Sequence, residues 1–554
     1  MGGAARGASG MAGWQLRPAP SWRRALGCPA RVRHFGGFMV PKRQQRQAQR
    51  PQAARPDLQE WLADLGAVVR AAPHGSGSED LRRWRTYAEA ALFHAGSLEP
   101  RQLAFVTNGF ARARVPDREV FRRLADRAIE QRQDFEPRDV ALLLNAYARL
   151  QFRDMGLFQR FSEQICRQEP DGYGEQQLAL VANSYARLEI ADVPLFQQLS
   201  KWIISKAFEF PPQGIATVAN AYAKVLIRDV ALFDALSGRA RKQLGEMTPQ
   251  HIANILNAYA RLELSDSDLL EPLVHRVAGC AHDCNPVEVS AITHATIKLG
   301  IQHRQALMAL AATIKDRGTE FRARQIATVL HAFSTLNATY GRLFDELGPS
   351  VLASADAADG QSLLLLFCSY ARAGQPHGRV VQALLERLAP RAGELEVPGL
   401  VQLFYACGRL GLYREPQPRR FAQLLLPSVS SLPPQHVANC LFATARLGLG
   451  AEEFADLLRA LQAQVLRGAA RLFEPQQAAN ALHALAAIHG SAAPAHVFHV
   501  PLPGNLVPAM VQRVLACEAW AEQPQLLASI AVSCARLGHE SQALQALLGR
   551  ELRA

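Results

Sequence analysis

LLLNAYARL (142–150), LVANSYARL (180–188), TVANAYAKV (217–225) and NILNAYARL (254–262) are one segment written four times. Weaker copies follow as AITHATIKL (291–299), TVLHAFSTL (328–336) and LLFCSYARA (365–373). With the asparagine as anchor, units fall at Asn108, Asn145, Asn183, Asn220, Asn257, His294, His331, Cys368, Tyr405 and Phe442, spaced by 37 residues except for one step of 38. His483 and Val532 extend the series at longer spacing, giving about twelve units. A fixed period of this length marks a solenoid, in which each unit buries its apolar face only against its neighbours. Such arrays present long repetitive surfaces, so recognition is expected ahead of catalysis.

Within a unit the anchored segment has helical spacing. Val140, Leu143, Leu144, Tyr147 and Leu150 make one apolar stripe, repeated by Ile252, Ile255, Leu256, Tyr259 and Leu262. A proline sits eight residues before the anchor in most units, as at Pro137, Pro212 and Pro249. A first-turn proline belongs there, because its missing N–H would be unpaired anyway. A second apolar stretch follows, as in LFQRFSEQI (157–165) and LFQQLSKWI (195–203). Each unit therefore reads as a helical hairpin. The expected fold is all-α, a right-handed-type α-α superhelical solenoid. The apolar stripe is expected to face the second helix of its own hairpin, with Ala146 and Ala148 as small shoulders against neighbouring units.

The formal charge of +12 is not spread along the chain. Residues 1–55 hold eleven of the 61 basic groups and no acid precedes Asp57, so the remainder carries 50 basic against 49 acidic groups. The acid-free, arginine-bearing leader has no apolar core of the secretory kind and reads as an organellar transit peptide over 1–35, mitochondrial in pattern with a plastid as the alternative. The expected organisation continues with a basic disordered tail at 36–56, an N-terminal helical cap at 57–98 and regular repeats over 99–488. A loop insertion at 489–504 and a C-terminal helical repeat or cap at 505–554 complete it.

In a nearly neutral array the arrangement of charge carries the information. The residue four after the anchor is basic in ten of twelve units: Arg112, Arg149, Arg187, Lys224, Arg261, Lys298, Arg372, Arg409, Arg446 and Arg536. Anchor and basic residue lie one turn apart on the face opposite the apolar stripe, and are expected to line the inner wall. Repeated guanidinium groups suit a phosphate backbone; last-turn helix capping is the alternative. At the anchors, Asn145, Asn183, Asn220, Asn257, His294 and His331 offer donors and acceptors for a base edge, or else form a ladder between adjacent helices. Tyr405 and Phe442 have rings on which a base could stack.

The 37-residue hairpin with its NAYA[RK]L segment resembles the heptatricopeptide-repeat organellar RNA-binding proteins of apicomplexans and relatives, themselves related to octotricopeptide-repeat and FAST-kinase-type proteins. The resemblance covers about residues 100–540 and implies binding of an organellar transcript or ribosomal RNA for processing, stabilisation or ribosome assembly. Organellar ribosomal or RNA-processing proteins are the further partners it implies. Many members end in a small nuclease-like RAP domain, whereas residues 526–554 here keep the repeat pattern.

Other chemistry has little support. Cys280, His282 and Cys284, with His275 nearby, lack the second pair that zinc sites use. No phosphate-binding glycine loop or nucleophile elbow occurs. Neither a cofactor nor enzyme activity is expected, and no run of residues is long and apolar enough for membrane insertion. A helical protein-interaction scaffold, including a structural component of an organellar ribosome, is the alternative function.

Overall fold

The computed structural model describes residues 57–71, 78–335, 341–374, 378–448, 454–468, 473–489, 500–516 and 524–551. The expected leader and basic tail lie outside the described residues, as do His496 and His499 of the insertion. Among the described residues every α or 3-10 element belongs to a helical hairpin array: 26 α-helices pair into thirteen hairpins. The segment read as a cap is itself such a pair, Leu58–Ala71 and Ser78–His94. Toward the other end, His489 closes the Pro475–His489 helix and meets Gln462 at 3.0 Å.

The chain divides into two compact segments, one up to Val277 and one from Ala278. Within each, first helices pack along much of their length against the first helices of neighbouring hairpins, while second helices touch one another more sparsely. The first helices thus form one closely packed layer within each segment. Small residues permit that approach. A Cβ added to Gly408, three after its anchor, would lie 2.7 Å from the Cα of Ala443 on the next first helix.

Local sequence sets each hairpin. Pro100, Pro137, Pro212 and Pro249 open first helices. The helix closes with the residue six after the anchor in the left-handed region: Arg114, Gln151, Glu189, Leu226 and Glu263 at φ 54–61°, then Gly300, Gly374, Gly411, Gly448 and Gly538 at φ 54–72°. The N–H one residue on bonds back to the carbonyl two after the anchor, as from Phe152 to Tyr147 at 2.9 Å and Ile227 to Tyr222 at 3.1 Å. This is a Schellman closure. Asp117, Asp154, Asp192 and Asp229 then cap the second helix with their carboxylates.

The tyrosine two after the anchor does not pack as its position in the stripe predicts. Instead of serving its own hairpin, it reaches the second helix of the preceding one. Tyr147, Tyr185, Tyr222 and Tyr259 donate to the backbone carbonyls of Phe121, Phe158, Phe196 and Phe233 at 2.6, 2.6, 2.7 and 3.3 Å. Each ring also meets the same phenylalanine edge-on, at 4.8–5.1 Å between centroids. The buried hydroxyl therefore has a partner, and two hairpins are joined by one side chain. Ser200 and Ser237 of second helices add bonds to Asp229 and Asp266 of the following hairpins.

Candidate nucleic-acid interface

Each first helix turns one narrow stripe toward solvent. It runs through the residues seven and three before the anchor, the anchor itself and the basic residue four after it. In one helix these are Arg138, Leu142, Asn145 and Arg149, and in the next Gln176, Leu180, Asn183 and Arg187, all exposed or half-buried between buried neighbours. The spacing is one side of a 3.6-residue helix. The alanines and the tyrosine on either side of this stripe face other helices, so the polar residues have one direction left.

In the first segment the basic residues come together as a row. Arg112 and Arg187 are exposed, and Arg149, Lys224 and Arg261 are half-buried. Partial desolvation, then the neighbouring Arg187, Arg112 and Arg114, lower the affinity of Arg149 for its proton. Lys224 is shifted downward in the same way, by burial and then by Arg187 and Arg261. Each cation thus feels those of the adjoining hairpins. Among the described residues, Arg112, Arg149, Arg187 and Lys224 have no hydrogen-bond or ion-pair partner. Basic residues that tie hairpins together lie elsewhere: Arg239 donates to the Phe210 carbonyl at 3.2 Å and Arg276 to that of Met247 at 3.1 Å, both from second helices. A row of like charges held a repeat apart stabilises an incoming polyanion more than it stabilises the fold.

The anchors Asn145, Asn183, Asn220 and Asn257 are half-buried and share the row's face. No asparagine ladder forms, since among the described residues their amides have no hydrogen-bond partner. Their donors and acceptors are left to solvent or to a ligand.

The second segment arranges the same registers differently. Lys298, Arg372, Arg409 and Arg446 are exposed. Arg372 approaches the anchor His331 at 3.2 Å, and Arg409 donates to the Arg372 carbonyl at 3.2 Å. Arg409 thus reaches the carbonyl end of the preceding first helix, not of its own. His331 is held down to about 4, by burial first and then by Arg372 and His294. His294 is lowered by burial and Lys298. Both are therefore neutral near pH 7, each a donor and an acceptor. Tyr405 and Phe442 rest on each other, with centroids 5.2 Å apart at 46°. Burial pushes the Cys368 thiol up to about 12. Cys284 turns its thiol inward, 3.6 Å from the Cys280 carbonyl, and is likewise pushed up to about 12. Among the described residues no group of histidine, cysteine or acidic side chains has the makings of a metal site. No described helix is long and apolar enough to cross a membrane.

Two parts of the stripe were not singled out from sequence. The register three before the anchor carries Phe105, Leu142, Leu180, Thr217 and Asn254 in the first segment, and its variation between constant core positions was the available signal. The register seven before is glutamine in seven of the twelve units, among them Gln435 and Gln476, which donate to Asn439 and Asn480 on the same helices at 3.0 and 3.1 Å.

Fold and face together define an all-helical repeat protein whose first helices in the first segment share an exposed row of cations and asparagines. The family described as RNA-editing substrate-binding complex 6 protein matches the chain twice, over residues 78–317 and 177–415, together more than half its length. The chain belongs to that family. Overlapping matches are what a chain made of similar units produces. Among solved structures, a homology model of the full-length AP-3 complex in an intermediate open conformation is similar at 10% identity and TM-score 0.38, covering 89% of each chain. A circular tandem repeat protein with novel repeat topology is similar at 12% identity and TM-score 0.16, covering 90% of this chain and 91% of that one. No curated protein matches.

Proposed function

We propose that this protein binds RNA along the layer of its first helices, as an organellar factor in RNA processing, stabilisation or ribosome assembly. It acts by binding and without catalysis, and its partners are an organellar transcript or ribosomal RNA together with proteins of the same machinery. The observation that carries this reading is the row Arg112, Arg149, Arg187 and Lys224, cations that repel one another and have no internal partner among the described residues. Membership of a family described by an RNA-editing substrate-binding complex supports it. The acid-free leader supports a mitochondrial destination, with a plastid as the alternative. Import of a reporter carrying residues 1–35 into mitochondria checks that part.

The binding test is a fourfold variant, Arg149→Gln, Arg187→Gln, Lys224→Gln and Arg261→Gln, with its fold verified by circular dichroism. Four lost phosphate contacts weaken binding to a single strand and flatten the salt dependence by about 0.7 per contact. Unchanged affinity and unchanged slope would refute the reading.

A protein partner is the second reading, and the Tyr405–Phe442 pair favours it for the second segment, because two touching half-buried rings offer apolar area in place of charge.

A further inference from the structure

In the first segment the anchor cannot by itself discriminate between ligands, because it is asparagine in Asn108, Asn145, Asn183, Asn220 and Asn257 alike. What changes beside it is the side chain one turn earlier on the same exposed stripe. Phe105, 40% exposed, stands beside Asn108. Leu142 and Leu180, half-buried, stand in the same place beside Asn145 and Asn183. In the next two hairpins Thr217 and Asn254 take that position.

From this arrangement we infer that the residue three before the anchor sets base preference, and that the hairpins of Asn108, Asn145 and Asn183 read the same base three times in succession. The inference rests on the RNA-binding reading above. Its physical content is a division of labour within one stripe. An apolar side chain supplies a floor for the face of an unstacked base and keeps water from the amide next to it. The unpartnered asparagine then bonds the base edge, and the arginine one turn further on meets the phosphate.

Three hairpins with an apolar floor, aromatic at Phe105 and aliphatic at Leu142 and Leu180, and with the same amide and the same cation offer a base edge the same bonds. The Thr217 hairpin differs, since its hydroxyl is turned back to the Gln213 carbonyl at 2.7 Å and leaves a smaller floor. The Asn254 hairpin differs further, offering two amides side by side at Asn254 and Asn257. One base per hairpin is the stoichiometry that helical repeats with this kind of reading surface use.

The experiment is selection of a random-sequence RNA pool by the full chain, followed by sequencing. The recovered motif is expected to contain a run of three identical bases followed or preceded by two positions of different preference. Leu142→Asn gives the middle hairpin the pair found at Asn254 and Asn257. It should interrupt the run at its centre, shifting preference there by about tenfold or more toward the base selected by the Asn254 hairpin. The reverse variant, Asn254→Leu, should bring the run's base to the outer position, and being a change on a solvent-facing stripe it keeps the test open if Leu142→Asn fails to fold. If both folded variants recover the parent's motif, the inference is overturned while RNA binding stands. RNA retained with a steep salt dependence but no enriched motif overturns it as well. Retention of no RNA overturns both it and the reading beneath it.

Discussion

The segment before Val277 and the segment after it solve the same packing problem in opposite ways. In the first, the residue two after the anchor is Phe110 and then Tyr147, Tyr185, Tyr222 and Tyr259, and each tyrosine bonds and stacks onto the preceding hairpin. The residue that turns the chain is then a side-chain-bearing one forced to positive φ, such as Leu226 at 60°. In the second, Thr296, Phe333, Cys407, Thr444, Leu485 and Cys534 stand at the tyrosine register, and among the described residues only Tyr370 repeats the bond, to the Phe344 carbonyl at 2.9 Å. Its turns are relaxed by glycine, as at Gly411 and Gly448. A left-handed residue with a Cβ costs about 1–2 kcal/mol, which a buried hydrogen bond with an aromatic contact offsets. Bond and strain coincide in four hairpins but are separable: the Asn108 hairpin turns at Arg114, φ 58°, with Phe110 at the tyrosine register, and the Tyr370 hairpin keeps the bond while turning at Gly374. The surfaces diverge in parallel: among the described residues Asn145, Asn183, Arg112, Arg149 and Arg187 have no hydrogen-bond partner in the first segment, whereas the anchors His331, Tyr405 and Phe442 are engaged in the second.

The comparison breaks most visibly at the tyrosines. Tyr222→Ala empties a fully buried site and removes the second hydrogen bond to the Phe196 carbonyl, and should destabilise the first segment by about 3–5 kcal/mol in urea titrations. Thr296→Ala, whose hydroxyl bonds only its own helix at Ile292, should lose about 1 kcal/mol in the second. Equal losses would mean the two segments are held alike.

Acid separates the segments next. His331 is depressed from 6.5 to about 4 in the fold. Above pH 6.5 it is neutral whether folded or unfolded and contributes nothing to the pH dependence. As pH falls through that range the unfolded chain takes up the proton first, so the second segment loses stability, by on the order of 2 kcal/mol down to about pH 4. His331→Asn should remove most of that loss, read as an acid-unfolding profile, and substitution of Asn145 should leave the profile unmoved.

The smallest effect sharpens the argument about turns. Leu226→Gly should stabilise by about 1 kcal/mol, and Gly411→Ala should destabilise by a similar amount, both from thermal unfolding midpoints. A destabilising Leu226→Gly would show that the leucine makes contacts worth more than its backbone strain.

The period, the first-turn prolines and the solvent-facing basic register were legible in the sequence because each depends on spacing within a single helix. The role of Tyr147 was not, because its partner is a backbone carbonyl 26 residues away, and a carbonyl has no signature in a sequence. Nor were the turns at Arg114 and Gln151, since only glycine advertises positive φ. The first hairpin, Leu58–His94 in its two helices, lacks the NAYA segment and so fell out of the count. At the interface, the registers of Leu142 and Thr217 were not legible, because an apolar or small residue beside a core stripe carries no mark of its exposure.

The tyrosine bond also has a direction. The hydroxyl always lies 26 or 27 residues C-terminal to the carbonyl it meets. During synthesis, therefore, the acceptor leaves the ribosome first, already built into a finished hairpin, and the tyrosine that needs it arrives about one repeat later. No hairpin has to wait for a distant part of the chain, and the separation in sequence stays short, the condition under which folding is fast. Each completed repeat is a mould for the one that follows, so the array can lengthen by duplication at its growing end without learning a new way to fold.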